Sequence, residues 1–239
     1  MAVTHVIFDF DGLLVDTEPC SKAAHEKILG RYGIALTPEM ISYLTGRKEE
    51  EGFPWLIKKA GIADKITFEQ YLAEHDSVAG ELYRSNKAKP GAERLVRHFH
   101  KKGVPIAMCS GSRKAMYPPR REPHKDWLDL IPLQARILLG LLNGHVFCGE
   151  EKDIKRGKPF PDPFLATMKR FPVLPSDTSK VLVFEDSLNG GRAAVAANMR
   201  CVMVPEKQNR AEAMKIGATQ VLSSLEEFRP EEFGLPPFD

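Results

Sequence analysis

Hydrophobic positions along the chain fall into two kinds of run. Short, unbroken stretches of apolar and β-branched residues occur at Val6–Phe8, Val104–Cys109, Val146–Cys148, Val181–Phe184 and Cys201–Val204. None alternates apolar with polar. An uninterrupted apolar strand belongs in a sheet covered on both faces, which is the habit of parallel sheets. Between these runs the spacing turns helical. Ala92–Lys102 carries Leu95, Val96 and Phe99, and Pro163–Phe171 carries Phe164, Leu165 and Met168. Leu188–Met199 is rich in alanine and opens after Asp186 and Ser187, both suited to a helix start. Strands alternating with helices predict βαβ units and an α/β fold: a Rossmann-like parallel sheet core with helices on both faces.

One block breaks that rhythm. From about Thr17 to Ala88 helical periodicity continues without a buried strand, and Cys20–Tyr32, Pro54–Ala60 and Phe68–Arg84 read as helices. A helical block after the first strand predicts an inserted small cap domain at 17–88, with the core made of 1–16 and 89–239. The segment Lys87-Ala88-Lys89-Pro90-Gly91 reads as the return linker.

Composition narrows the class. The chain has 239 residues, enough for one large domain or a domain with an insert, and 43% hydrophobic with 28% charged residues is ordinary for a globular protein. A net charge of +2 without a long basic run argues against a nucleic-acid polymer as partner. The most apolar segment, Ile137–Leu142, is far too short to span a bilayer, and the N-terminus has no secretory pattern. The four cysteines form no CxxC pair. Cys109, Cys148 and Cys201 sit in or beside apolar runs, so reduced, buried thiols and a cytoplasmic location are expected.

Candidate chemistry collects where predicted strands end, the place where open α/β sheets keep their working residues. The first strand runs into Phe8-Asp9-Phe10-Asp11-Gly12, where Gly12 permits a tight turn and a close approach of backbone N–H groups to an anion. The second ends in Ser110-Gly111-Ser112, whose Ser110 hydroxyl suits a phosphate oxygen. Lys158 stands between Gly157 and Pro159, on a stiff loop from which an ammonium can neutralise a transferring phosphoryl group. Another strand ends in Glu185-Asp186-Ser187, and adjacent carboxylates imply a nearby cation. Asp9 and Asp186 would supply hard oxygen ligands to Mg²⁺. Each motif alone has an ordinary structural explanation: a turn, a strand-to-helix cap, a surface loop, or Asp186 capping the alanine-rich helix.

Their joint occurrence in this order resembles the haloacid dehalogenase superfamily of phosphohydrolases: Asp9 and Asp11, then Ser110, Lys158, and Glu185 with Asp186. The likeness covers nearly the whole chain, including Asp16-Thr17-Glu18 at the entry to the helical block. It implies that Asp9 is a nucleophile forming an aspartyl-phosphate and that Asp11 is the acid and then the base. It also implies Mg²⁺ bound by Asp9, Asp186 and the backbone carbonyl of Asp11, with Glu185 supporting them from behind. Gly12, Gly111 and, in the polar gap between cap helices, Gly46 and Arg47 become the expected substrate contacts. Arg120-Arg121, His124-Lys125, the loop Gly157–Asp162 and Phe233-Gly234-Leu235-Pro236 are similar to the pseudouridine-5'-phosphatases and their insect relatives, which implies a nucleotide such as pseudouridine 5'-phosphate as substrate. The expected partner is thus a small phosphorylated metabolite, with no membrane and a monomeric chain. Alternatives are a sugar phosphomutase of the same fold and a catalytically impaired binding relative. A dehalogenase has no use for the acid/base at Asp11.

Two departures from the family pattern stand out. Phe160 replaces an aspartate, which is expected to loosen the loop orienting Lys158. Residues Ile131–Gly144 add apolar length, either a lengthened helix or a splice or gene-model variant that disturbs the core.

Overall fold

The computed structural model describes residues 2–45, 47–131, 145–147 and 154–239. Its elements run β1 (His5–Phe8), α1 (Glu18–Gly30), α2 (Pro38–Leu44), α3 (Glu49–Lys59), α4 (Phe68–Tyr83), α5 (Ala92–Lys101), β2 (Ile106–Ser110), α6 (Tyr117–Arg121), α7 (Lys125–Leu128) and β3 (His145–Phe147), then α8 (Asp162–Met168), β4 (Val181–Glu185), α9 (Leu188–Ala196), β5 (Arg200–Met203), α10 (Arg210–Ala213) and β6 (Gln220–Val221). The strands form one parallel sheet in the order β3-β2-β1-β4-β5-β6. The chain builds outward from β1 in one direction, then returns to build from its other side. The seam between β1 and β4 is therefore a topological switch point, where open α/β sheets leave a crevice.

Both faces of the sheet are covered. Val6, Phe8, Ile106, Met108, Leu182, Phe184 and Val202 point into one apolar cluster with Leu95, Val96 and Phe99 of α5. Ile7, Ala107, Cys109, Val181, Val183, Cys201 and Met203 point into the other, with Phe164 of α8 and Ala193 and Ala194 of α9. Alternate residues of each strand thus serve opposite faces, which is why the strand sequences are apolar throughout.

Several boundaries move from the sequence expectation. Strand β2 starts at Ile106 because Pro105 lacks the N–H a ladder needs, although its carbonyl still accepts from Val6 N at 2.9 Å. Helix α3 begins at Glu49 and carries Pro54 inside it. Glu49, Glu50 and Glu51 in its first turn complement the positive end of the helix dipole. Helix α2 is absent from the sequence expectation. Its signal is Thr37-Pro38, a capping threonine accepting from Met40 N at 3.3 Å with proline at the first helical position. The alanine-rich helix is capped by Ser187, not Asp186: Ser187 Oγ accepts from Gly190 N at 3.0 Å, leaving the Asp186 side chain to the site. Cys148, Gly46 and residues 132–144 of the apolar insert lie outside the described residues.

The segment between β1 and α5 has an apolar cluster of its own, built from Ile28, Leu29, Met40, Phe53, Leu56, Ile57, Ile62, Ile66 and Tyr71. At its edge His25 is buried, with Nδ1 2.8 Å from the Tyr71 hydroxyl and its ring 4.6 Å from that of His75. Burial first, and the His75 charge second, push the His25 acid down from 6.5 to about 3. A group with a depressed folded pKa contributes stability above its unfolded pKa and loses it as pH falls toward the folded one. Stability is therefore expected to fall below about pH 6.5, by up to about 1.4 kcal/mol per pH unit from this group. Urea melts from pH 7 to 4 check it. His25→Gln should flatten the slope, and an unchanged slope would remove His25 as its source.

Candidate active site

The register of the sheet brings distant motifs together. Phe8 lies level with Met108 on one side and Phe184 on the other, so the residues just past these positions emerge at one sheet edge. Asp9 N donates to Phe184 O at 2.9 Å, which holds the β1 end against β4. Asp9 is 5% exposed and Glu185 fully buried, while Asp186 is half-buried and lines the cleft. One carboxylate oxygen from each of Asp9, Glu185 and Asp186 lies within 4.8 Å of the other two.

Lys158 reaches this group from the loop between β3 and α8, whose Lys158–Pro159 peptide bond is cis. Its Nζ is 2.5 Å from Asp9 Oδ1, donates to Glu185 Oε1, and lies 3.3 Å from the Cys109 carbonyl. Phe160 does not leave the loop untethered. Phe160 N donates to Gly157 O at 3.0 Å, its ring sits 4.2 Å beneath the Arg156 guanidinium, and Arg156 pairs with Asp162 at 3.0 Å. Glu185 is locked from behind, because its Oε2 accepts from Asp186 N, Ser187 N and Ser187 Oγ, each at 3.0 Å.

One lysine does not balance three clustered carboxylates. Burial raises the Asp9 acid well above its ordinary range; Lys158 opposes this and Glu185 adds to it. Burial, then Asp9 and Glu185, raise Asp186 in the same direction. Hard oxygen donors in mutual repulsion suit a small divalent cation, and Mg²⁺ fits the donor set. Gly12 belongs to the same arrangement. It adopts φ +81°, and a Cβ placed on it would stand 2.2 Å from Asp186 Oδ2. Its N–H donates to Val15 O at 2.8 Å, so the glycine's service to the site is the room it leaves for Asp186.

Asp11 faces elsewhere. Its Oδ2 accepts from Ser110 Oγ at 3.1 Å and Ser112 Oγ at 2.7 Å, and Arg120 Nη1 lies 3.0 Å from its Oδ1. The side chain is therefore held by these partners and is not part of the three-carboxylate group. Ser112 and Arg120 stand against Asp11, a contact that sequence reasoning does not find. Ser112 stands in view two residues past Ser110, whereas a buried arginine on a short helix leaves no periodic signal.

The cleft continues into a cavity of about 130 Å³ between the sheet edge and α1, α2 and α4. Asp9, Asp11, Gly111, Lys158 and Asp186 line its floor, and Glu18, His25, His75 and Arg47 line the upper part. Arg47 is exposed, with its guanidinium 4.3 Å from the Tyr43 ring centroid. Burial, then the Asp11 charge, pushes the Glu18 acid up to about 7. Arg113, just past the second motif, clamps the two parts together: it pairs with Glu49 of α3 and with both Asp76 oxygens of α4, at 2.6 and 2.8 Å.

Comparison with known proteins identifies the family. Residues 3–198 match the haloacid dehalogenase-like hydrolases. The chain is 40% identical over 237 residues to (DL)-glycerol-3-phosphatase 1, mitochondrial, of Arabidopsis thaliana, covering 99% of this chain and 75% of that protein. It is 39% identical over 237 residues to a probable pseudouridine-5'-phosphatase of Drosophila melanogaster, covering 99% and 96%. A haloacid dehalogenase family hydrolase from Deinococcus radiodurans R1, solved with bound phosphate and sodium, shares the fold at a TM-score of 0.72 and 24% identity, over 99% of both chains. Among the described residues, no helix is long and apolar enough to cross a membrane. With acidic strand ends converging on one lysine, and with likeness running the length of the chain, this protein belongs to the haloacid dehalogenase-like hydrolases and is a phosphoric monoester hydrolase.

Proposed function

We propose that the protein hydrolyses a small phosphate monoester in two steps through an aspartyl-phosphate on Asp9. The observation that carries this reading is the gathering of Asp9, Glu185 and Asp186 oxygens within 4.8 Å, with Lys158 against two of them. In the first step an Asp9 oxygen bonds to phosphorus and the ester P–O bond breaks. The leaving alkoxide takes a proton from Asp11. In the second, a water oxygen bonds to phosphorus, the P–O bond to Asp9 breaks, and the water's proton passes to Asp11. The products are the alcohol and inorganic phosphate, and Asp11 ends with the proton it began with.

Asp9, Asp186 and the backbone carbonyl of Asp11 would hold Mg²⁺, with Glu185 beside them. A bound Mg²⁺ supplies positive charge that lets a carboxylate approach a phosphate dianion. Lys158 holds phosphate oxygens as a point charge, and Ser110, whose one hydroxyl proton goes to Asp11 in this structure, would have to turn it to a phosphate oxygen to help. Residues 17–88 act as a cap that shields the reaction from water, and Arg47 meets the leaving group from the cap side. The Arg113 clamp on Glu49 and Asp76 supports a cap seated on the core. The same reading takes the protein as a cytosolic monomer.

The substrate we favour is a nucleotide such as pseudouridine 5'-phosphate. A second reading, glycerol 3-phosphate, is favoured by the glycerol-3-phosphatase relative at 40% identity. Purified protein is tested against pseudouridine 5'-phosphate, uridine 5'-phosphate, glycerol 3-phosphate and hexose phosphates, with Mg²⁺ and with EDTA. Phosphate release that EDTA removes, at least tenfold faster on pseudouridine 5'-phosphate than on the others, is expected. A glycerol 3-phosphate optimum selects the second reading. Release that needs a sugar bisphosphate, or no release at all, contradicts both.

A further inference from the structure

The mechanism leaves Arg120 without a part, although it is among the most enclosed charges in the described residues. Its side chain is 4% exposed. A guanidinium that deep needs partners; among the described residues its Nε has none, while those of Nη1 and Nη2 lie in two places. Nη1 stands 3.0 and 3.2 Å from the two oxygens of Asp11 and donates to Ser112 Oγ, which itself donates to Asp11. Nη2 donates to the Tyr83 hydroxyl at 3.1 Å, with the guanidinium carbon 4.4 Å from that ring's centroid. The Arg120 carbonyl accepts from Asn86 Nδ2 at 3.1 Å. Tyr83 closes α4 and Asn86 lies in the segment by which the chain returns from the helical block to the sheet. Arg121, its neighbour in sequence, makes a useful contrast. It is 23% exposed and pairs with Asp129, a residue of its own segment away from both places.

We infer that Arg120 is a positioning residue for Asp11, bracing the carboxylate's direction against the end of α4 and the return segment. The inference rests on the reading of Asp11 as the proton carrier. A planar fork suits the task, because one guanidinium can hold Asp11 and Tyr83 at once in a fixed geometry, whereas an ammonium on a flexible stem cannot. Misplacement of a reacting group by about 1 Å is enough to slow a reaction by about 10²-fold.

The test uses p-nitrophenyl phosphate and rapid-mixing kinetics with Mg²⁺. Nitrophenolate leaves as a stable anion, so the step that forms the aspartyl-phosphate proceeds without a proton from Asp11. Hydrolysis of that intermediate still needs Asp11 to take a proton from water. Arg120→Met is expected to give a burst of nitrophenolate near one equivalent per site, with a burst rate within about 3-fold of wild type. The subsequent steady state should be about 10²-fold slower than wild type. Arg120→Lys keeps a cation at Asp11 but cannot span to Tyr83, and should fall between the two with a burst still visible. Arg121→Met should behave as wild type. Far-ultraviolet circular dichroism shows which variants are folded, and should Arg120→Met fail to fold, Arg120→Lys decides alone. The inference is overturned if the folded variants turn over at the wild-type rate, or if burst and steady state decline together, as a merely structural lesion would cause. A wild type that releases no phosphate overturns the underlying reading as well, an outcome distinct from the other two.

Discussion

Asp9→Asn should abolish Mg²⁺-dependent phosphate release, by about 10⁴-fold or more, while leaving the fold intact. The amide has the shape of the carboxylate but cannot form the acyl-phosphate, so no second route of comparable rate remains. Loss of the fold is not expected, because Lys158 keeps Glu185 as a partner and the Asp9 backbone stays bonded to Phe184. The variant should in fact melt at or above the wild-type temperature in metal-free buffer. Asp9 is buried beside Glu185, and its acid is raised by that burial, so the ionised form is an electrostatic burden on the folded state near neutral pH. A melting scan in EDTA together with a phosphate-release assay reads both effects. Wild-type turnover in this variant would remove Asp9 as the nucleophile.

Lys158→Met should be the more damaging change to stability. The side chain is 4% exposed and its ammonium sits between two carboxylates that are 7% and 0% exposed. Breaking a buried pair by removing one partner typically costs about 3–5 kcal/mol, because the remaining charge stays buried without compensation. Here two carboxylates lose their shared cation at once, although Glu185 keeps its hydrogen bonds from Asp186 N and Ser187, and a third carboxylate, Asp186, is close by. Turnover should fall by about 10³-fold, since the phosphoryl group loses a fixed positive charge. Added Mg²⁺ should raise the melting temperature of Lys158→Met more than that of wild type, because a ligand that binds only the folded state stabilises it and the variant's carboxylates lack the lysine's compensating charge. Equal shifts in the two proteins would separate Lys158 from the metal site.

Much of this arrangement is legible in the sequence because the core obeys simple rules. A strand buried on both faces must be apolar at every position, and Val6–Phe8 and Val181–Phe184 satisfy that with little ambiguity. Residues just past such a strand lie at its carboxyl end wherever the rest of the chain runs, so Asp9, Ser110 and Glu185 can be placed at one edge before any coordinates. Other parts of the fold obey rules that leave little trace. Strand β6 is two residues long, too short for periodicity to register. The sequence starts helix α3 too late because Pro54 reads as a helix opening, whereas the helix carries it internally behind an acidic first turn. Helix capping by Ser187 instead of Asp186 is a choice between adjacent residues that only the competition for Asp186 near Gly12 decides. Arg120 and Ser112 belong to the site through tertiary contacts with Asp11, and no spacing along α6 announces a contact to a residue 109 positions earlier.

The claim on which the rest depends is that phosphate passes through a covalent bond to Asp9. It is tested most directly by quenching the enzyme with acid during turnover of a phosphate monoester, reducing the acyl-phosphate with borohydride, and mapping the product by mass spectrometry. The account predicts conversion of Asp9 to homoserine, dependent on substrate and on Mg²⁺ and absent from Asp9→Asn. Reduction at another carboxylate, or steady turnover with Asp9 never modified, would contradict it.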